Sequence, residues 1–497
     1  MMQRVRCLMV FSLSATINLS ATQVLVAQEI SKGAQFSTKS TSNQTTQETA
    51  QTSESSLNPD PNPLQLPTKP DEIRLQATQA ITLQEAIALA ERNNRDLQVA
   101  ALTLKRSQAA LRQSQASLYP TLAGDTELGY ERNSRDRLDD LKYLAEDASP
   151  TGTLSGRVEI SYDLFTFGRR PARIQAAQAQ VRLDQFEVDR VQRQIRQDVT
   201  NVYYDLQQAD EQARIAQSSV TNIQRILSDA QALEQGGLGT KLDISRAQVQ
   251  LGNAEQELIE AQTQQEVTRR QLVQLLSLSE TADVSAADPV QVAGDWALSL
   301  EESIVLAYRN RVELQQQLAQ RTIAQQNRRA ALADRLPEIS LFGNYQFLNE
   351  FNEPFGTLGG YATGARLRWN FFDGGAARAA ADQQSANQAI AETRFAQTRN
   401  QVRFQVEQGF KSLRANARSI QTATAALTQA RESLDTVRFQ FQQGVGTQLD
   451  VITAQSDLVR AEVNRLRAIL NYNRALASLQ RAVSNSPANP ISQPSYP

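Results

Sequence analysis

Apolar positions along this chain follow two rhythms, and each rhythm occurs twice. From Val188 to Ala230 they recur in steps of three and four: Val188, Val191, Ile195, Val199, Val202, Leu206, Ala209, Ala213, Ala216, Val220, Ile223, Leu227 and Ala230. That spacing keeps one helical stripe against a partner helix, as in a coiled coil. A returning stripe follows in Ile244, Ala247, Leu251, Ala254, Leu258 and Ala261, so the pair predicts a helical hairpin. The pattern recurs in Leu413, Ile420, Ala423, Leu427, Leu434 and Val437, then in Val451, Ala454, Leu458 and Ala461, with Gly409, Asn416 and Arg465 interrupting it. Alanine is frequent in these seams, which lets helices approach closely. The stretch from Pro171 to Gln235 predicts a helix of about 65 residues and roughly 100 Å. A globular domain does not need helices of that length.

The second rhythm has period two. After Pro120 the even positions are Leu122, Gly124, Thr126, Leu128 and Tyr130, while the odd ones are Thr121, Ala123, Asp125, Glu127 and Glu131. A second strand sets Leu154, Gly156, Val158, Ile160, Tyr162 and Leu164 against Arg157, Glu159 and Asp163. A third sets Ile339, Leu341, Tyr345 and Phe347 against Ser340, Asn344 and Gln346. The fourth sets Tyr361, Leu367, Trp369 and Phe371 against Arg366, Arg368 and Asn370. One face is apolar and ends in aromatics; the other is charged.

A soluble, half-buried sheet reads the same way. Here, however, the helices spend their seams on each other and leave nothing to cover the apolar face. Lipid covers such a face, with Tyr and Trp at the interfaces and the charged face lining water. Four strands cannot close, and open edges are not tolerated in lipid. Bacterial barrels need at least about eight strands, so the chain must oligomerise; two copies or three would suffice by this argument.

Both rhythms belong to an internal duplication. Ile81-Thr-Leu-Gln-Glu-Ala-Ile-Ala-Leu-Ala90 matches Leu298-Ser-Leu-Glu-Glu-Ser-Ile-Val-Leu-Ala307 at an offset of 217 (81 to 298), kept by Pro120 and Pro337. Tyr162-Asp-Leu-Phe165 matches Trp369-Asn-Phe-Phe372 at an offset of 207 (162 to 369). Gly237-Leu-Gly-Thr240 matches Gly444-Val-Gly-Thr447 at that same offset. The first copy therefore carries a longer loop, near 131–152. Each copy predicts helix, strand, loop, strand, very long helix, tight glycine turn and helix. The copies span 76–277 and 298–484, joined by a linker at 278–297.

Outside the copies the composition changes. Arg4 and Arg6, the apolar stretch Cys7 to Leu19 and the run Val24 to Ala27 read as a signal peptide over 1–27. Residues 28–75 are a Ser, Thr, Gln and Pro-rich tether, and 485–497 a tail of similar kind. The only cysteine is Cys7 and histidine is absent. A processed chain would thus have no disulfide, no Cys or His nucleophile pair and no ordinary transition-metal site. No remaining segment offers about 18 uninterrupted apolar residues, so no membrane-spanning helix is expected. A net charge of −2 gives no basic field for nucleic acid. No phosphate loop or triad spacing accompanies the Asp and Glu residues, so no enzyme and no cofactor is expected.

The duplication, the strand pair ahead of each long helix and the two glycine turns followed by Leu-Asp resemble the TolC family of outer-membrane efflux and secretion channels, over about residues 80–484. The resemblance implies an α+β membrane protein: a homotrimer whose chains each give four strands to one twelve-stranded barrel, continued by a periplasmic helical tunnel. It implies a passive exit duct for small molecules or proteins, served by an inner-membrane transporter and a periplasmic adaptor that docks at the helix tips. Residues 278–297 would form an equatorial belt, and 131–152 would face the exterior. An exported coiled-coil spacer without a pore is the competing reading, and it leaves the four amphipathic strands unexplained.

Two roles meet at the tips. Thr240 with Asp243, and Thr447 with Asp450, fit helix-start boxes, while Gly236, Gly237, Gly444 and Gly446 suit the reversal of direction. The resemblance adds an adaptor-docking surface over Gly237, Leu238, Gly239, Thr240, Gly444, Val445, Gly446 and Thr447. It also implies a periplasmic gate at Asp450, with Asp243 as a further candidate. Asp450 matches a family aspartate at the constriction; Thr453 stands where the best-known member has a second one. Gln443 and Gln448 stand where that member has its latching tyrosine and arginine.

Overall fold

The computed structural model describes residues 57–59, 64, 66–131, 151–237, 239–351 and 356–484. The signal peptide, most of the tether, nearly all of the 131–152 loop and the 485–497 tail lie outside these residues. Among the described residues are eight α-helices and six strands, besides a 3-10 turn at Pro70–Ile73: β1 (Gln79–Ile81), α1 (Leu83–Asn93), α2 (Arg95–Ala116), β2 (Thr121–Glu131), β3 (Thr151–Phe165), α3 (Arg169–Gln235), α4 (Lys241–Leu275), β4 (Val284–Ala286), α5 (Leu300–Asn310), α6 (Val312–Ala333), β5 (Glu338–Glu350), β6 (Thr357–Arg368), α7 (Ala376–Gln442) and α8 (Gln448–Val483). The long helices α3 and α7 have 67 residues each, about 100 Å.

The predicted seams coincide with buried and half-buried positions of the long helices. Ile195, Val199, Leu206, Ala209, Ala213, Ala216, Val220, Ile223 and Ala230 of α3 are buried, as are Leu413, Leu427 and Leu434 of α7 and Val451, Ala454 and Ala461 of α8. Gly409 is not the interruption it looked like. It is buried, and a Cβ there would lie 3.4 Å from Leu479 Cα, so it marks a close approach of α7 to α8. Asn416 likewise joins the two helices, its Nδ2 donating to Asn471 O at 3.2 Å.

The single helix expected ahead of each strand pair is instead two. Asn94 (φ −61, ψ 129) and Arg311 (φ −71, ψ 115) are extended residues between consecutive helices, and they occupy equivalent repeat positions. Asn94 accepts from Asp96 N and Leu97 N, capping α2, and its Nδ2 donates to Leu275 O at 3.1 Å. Arg311 makes no such cap, but its Nη1 donates to Ala482 O at 3.4 Å. Leu275 and Ala482 are themselves equivalent at the 207 offset. Each break thus ties the start of one helix to the end of another, and the second copy does so with a cation. Capping boxes at Thr82/Glu85 and Ser299/Glu302 start α1 and α5 in both copies.

Four strands form one antiparallel sheet in the order β2-β3-β5-β6. Its register places Leu122 opposite Ile160, Leu128 opposite Leu154, Val158 opposite Tyr345, and Tyr345 opposite Tyr361. The apolar positions of all four strands therefore share one face. A bulge between Asp163 and Phe165 shifts β3 against β5 at the sheet base. β6 ends at Arg368, so Trp369 and Phe371 follow the strand and do not extend it; Trp369 Nε1 instead donates to Arg335 O at 3.2 Å. The charged face also carries a ring absent from the alternation: Phe342 stands opposite Gly364, with the Arg366 guanidinium 4.9 Å from its ring centre. On the apolar face Phe347 covers Gly156, where a Cβ would meet the ring at 2.3 Å. Cross-strand glycine–aromatic pairs fill the space a glycine leaves on a sheet.

A second, two-stranded sheet was not foreseen. β1 pairs parallel with β4 across the linker. This segment clamps onto α3 through a buried cluster that includes Ile81, Val199, Tyr203, Leu206, Leu272 and Val284. Its counterpart in the second copy packs Trp296, Leu300 and Ile304 against Val402, Val406, Phe410 and Leu479.

Candidate functional site

Two regions present surface that one chain alone does not satisfy: the sheet and the hairpin tips. On the sheet, Leu128, Tyr130 and Tyr361 are 72%, 76% and 84% exposed, so the apolar face is bare. The strands β2 and β6 form its edges. Among the described residues no helix is long and apolar enough to cross a membrane.

At the tips the two copies reverse direction by the same backbone geometry. Gly237 and Gly444 each adopt φ 74°, the left-handed conformation that glycine enters without steric cost. Gly237 N donates to Glu234 O at 2.9 Å and Gly444 N to Phe441 O at 3.0 Å. Gly236, expected to serve the reversal, is helical instead (φ −76) and only ends α3. Gly239 and Gly446 are required for space. A Cβ would lie 2.9 Å from Glu234 N in the first and 3.1 Å from Phe441 N in the second.

The returning helices then start on matched capping boxes. Thr240 Oγ1 donates to Asp243 Oδ2 at 2.6 Å, and Asp243 N donates back to Thr240 Oγ1 at 3.3 Å. Thr447 and Asp450 repeat both distances, 2.6 and 3.3 Å. Hydrogen bonds from the Thr447 hydroxyl, and then its backbone N–H, hold the Asp450 carboxyl below the usual carboxylate range. Asp450 and Thr453 are exposed, one turn apart on α8, while Asp243 is half-buried in the other hairpin. Thr453 Oγ1 donates to Leu449 O at 2.9 Å within its own helix. The candidates thus form two capping pairs plus one threonine. Among the described residues no group of three acids or other ligands is arranged to hold a metal.

Apolar side chains are among those the tips show to solvent. Val445 is 80% exposed, and Leu242 and Leu449 are more than half exposed; Leu238 lies outside the described residues. The burial of two polar residues inside the tip was missed by sequence reasoning. Gln448 and Gln455 are each 3% exposed. Gln455 accepts from Arg438 Nη2 at 3.2 Å, whereas the Gln448 amide has no hydrogen-bond partner. The signal was present in the spacing: steps of three and four from Val451 place both glutamines on the seam.

A family model described as outer membrane efflux protein matches residues 86–277 and 304–485, one segment in each copy. Among curated proteins none matches the sequence. Solved structures do. The chain is similar to CusC, described in terms of transmembrane channel formation, at 21% identity and a TM-score of 0.70, covering 86% of this chain and 99% of that one. It is similar to the Campylobacter jejuni CmeC outer membrane channel at 15% identity and a TM-score of 0.72, covering 86% and 94%. It is also similar to the Neisseria gonorrhoeae MtrE outer membrane channel in its open state, at 18% identity and a TM-score of 0.69, covering 86% and 96%.

Proposed function

The chain belongs to the outer membrane efflux protein family and is an outer-membrane channel protein extending into the periplasm; from that premise we propose that three copies assemble into one passive duct and receive cargo through adaptor contacts at the hairpin tips. The bare apolar sheet face carries this reading. Four strands with two open edges need neighbours, and three chains would close a twelve-stranded barrel of the size lipid accepts. The charged face, with Asp125, Glu127, Arg157 and Glu159, then lines water.

The duct performs no chemistry of its own. The partners are a periplasmic adaptor and an inner-membrane transporter, and the docking surface comprises the turns from Gly237 to Thr240 and from Gly444 to Thr447. Support for the docking role comes from their place at the far ends of α3 and α7 and from the exposed Val445 and Leu449. In mild detergent the purified protein should run as a trimer, and in a planar bilayer it should conduct. Recovery as a monodisperse monomer without detergent, with no conductance, would overturn the reading.

A further inference from the structure

A polar cavity lies where the two copies meet, lined by residues of both. It has a volume of about 410 Å³ and lies where α6 meets the end of α8, between α3 and α7. Arg311, Arg474 and Arg481 line it together with Gln194, Gln408 and Ser478, and no acidic residue does. The equivalent positions in the first copy are Asn94, Val267 and Gln274, so the cations belong to the second copy alone.

Charge compensation around these arginines is incomplete. One carboxylate, Glu313, serves two of them: Arg311 Nε lies 2.9 Å from Glu313 Oε2 and Arg481 Nη2 lies 2.7 Å from Glu313 Oε1. Arg474 is held by Asp205 at 2.6 Å. Arg481 keeps two buried donors, Nε and Nη1, without any hydrogen-bond partner. Leaving charged donors buried and unpaired is costly, and an anion in the cavity would satisfy them. Burial also pulls the Arg311 guanidinium below its usual range, consistent with excess positive charge in a desolvated place.

The helical phase fixes which way the cavity opens. On α8, Tyr472 and Asn473 bond to Gly294 O and Gln291 O of the belt segment, both at 2.8 Å. Arg474, Ser478 and Arg481 lie roughly 180–240° around the helix from Tyr472, at about 100° per residue. On α3, Tyr203 bonds to the same segment through Asp288, and Gln194 and Gln197 lie about 180° and about 120° around that helix from it. The cavity therefore opens away from the belt.

We propose that this cavity is a binding site for a small oxyanion, held by Arg311, Arg474 and Arg481. In the assembled duct it faces the lumen at the level of the belt, a placement that rests on the channel reading. The shared chemistry is a phosphate or carboxylate group, whether free in solution or carried by cargo.

The test uses the full-length protein in detergent at constant ionic strength, titrated calorimetrically with inorganic phosphate and, separately, with benzoate. Saturable binding of either probe is expected, and the probe that saturates identifies the group. Arg481→Gln should weaken it by about tenfold or more, the loss of a charged hydrogen-bonding partner. Arg474→Gln, less buried and safer for folding, should weaken it in the same direction. Arg460→Gln, an exposed arginine paired with Asp457 lower on α8, should leave binding unchanged. Absence of saturation by both probes, or equal binding by all variants, overturns the site. Reversal potential in an asymmetric salt gradient gives an independent reading, since Arg481→Gln should shift preference toward cations. Anion binding without that shift would keep the site and overturn its placement in the lumen. Conductance without anion binding would overturn the site and leave the channel standing.

Discussion

The Tyr203 hydroxyl lies 2.9 Å from Asp288 Oδ2 and accepts the Asp288 backbone N–H at 3.2 Å, which pins the segment around Asp288 to the middle of a 67-residue helix. Asp288 Oδ2 also accepts Leu83 N at 2.7 Å, at the start of α1, and Ile81 O lies 3.0 Å from the same hydroxyl. Burial pushes the Tyr203 hydroxyl well above its ordinary pKa, so it remains a donor throughout the working range. Tyr203→Phe removes the hydroxyl and leaves buried groups unpaired, which should cost about 1–3 kcal/mol. Because Asp288→Ala breaks the same cluster, the double variant should be less destabilised than the two singles combined. Chemical unfolding in detergent, followed by helical signal, measures this; strict additivity would show that the pair is not a unit.

Lipid contact makes the two sheet faces unequal. Leu128 and Glu127 are adjacent in β2 but face opposite sides, Leu128 opposite Leu154 and Glu127 opposite Ser155. Leu128→Arg should cost up to about 2–4 kcal/mol if the position sits near the bilayer centre. Glu127→Arg should assemble normally, because water receives the new charge. Trimer yield after refolding into liposomes distinguishes them, and equal yields would argue against lipid on the apolar face.

Folding and docking can be separated at the tips. A methyl at Gly446 or Gly239 would meet helix backbone, so Gly446→Ala and Gly239→Ala should lower stability of the hairpin before any partner is involved. Gly446→Gln is therefore an ambiguous probe of docking. Val445→Glu changes a side chain that is 80% exposed and should leave the trimer intact while abolishing export and adaptor cross-linking. Normal export by Val445→Glu and Leu449→Glu together would reduce the tips to structural turns.

Long-range architecture was legible because it is periodic. A stripe of threes and fours from Val188 to Ala230, or an alternation from Leu122 to Tyr130, needs no knowledge of partners, and duplication doubled each signal. What stayed hidden depends on single contacts between distant segments. The three-residue strands β1 and β4 are too short to show alternation and exist only because they pair with each other. The breaks at Asn94 and Arg311 fall inside continuous helical patterns, and only their bonds to Leu275 O and Ala482 O reveal them. Tyr203 lies off the seam, next to Val202, yet it is fully buried and bonded to Asp288 of the linker. At the tips the capping pairs were readable from Thr-x-x-Asp spacing, whereas the orphaned Gln448 amide required coordinates.

Asp450 carries the last prediction because one carboxylate is assigned two roles. As a cap, it accepts Thr447 N at 3.1 Å and the Thr447 hydroxyl at 2.6 Å. As a gate residue in a trimer, it would face two copies of itself, and like charges brought together at a closed tip attract cations. The two roles act oppositely on its ionisation. The capping bonds depress the folded pKa, so their stabilisation is present above the unfolded value and is lost as pH falls through the depressed one. Mutual repulsion in a ring raises it. A trivalent cation on the periplasmic side should block single-channel current, and Asp450→Asn should weaken block by about tenfold or more while keeping an acceptor for the cap. Block in the wild type should persist as pH is lowered toward the ordinary carboxylate range and fade below it, whereas the variant should show no such step. Equally tight block in both proteins would remove Asp450 from the cation site, leave it as a cap alone, and move the question to Asp243, whose capping bonds are of the same lengths.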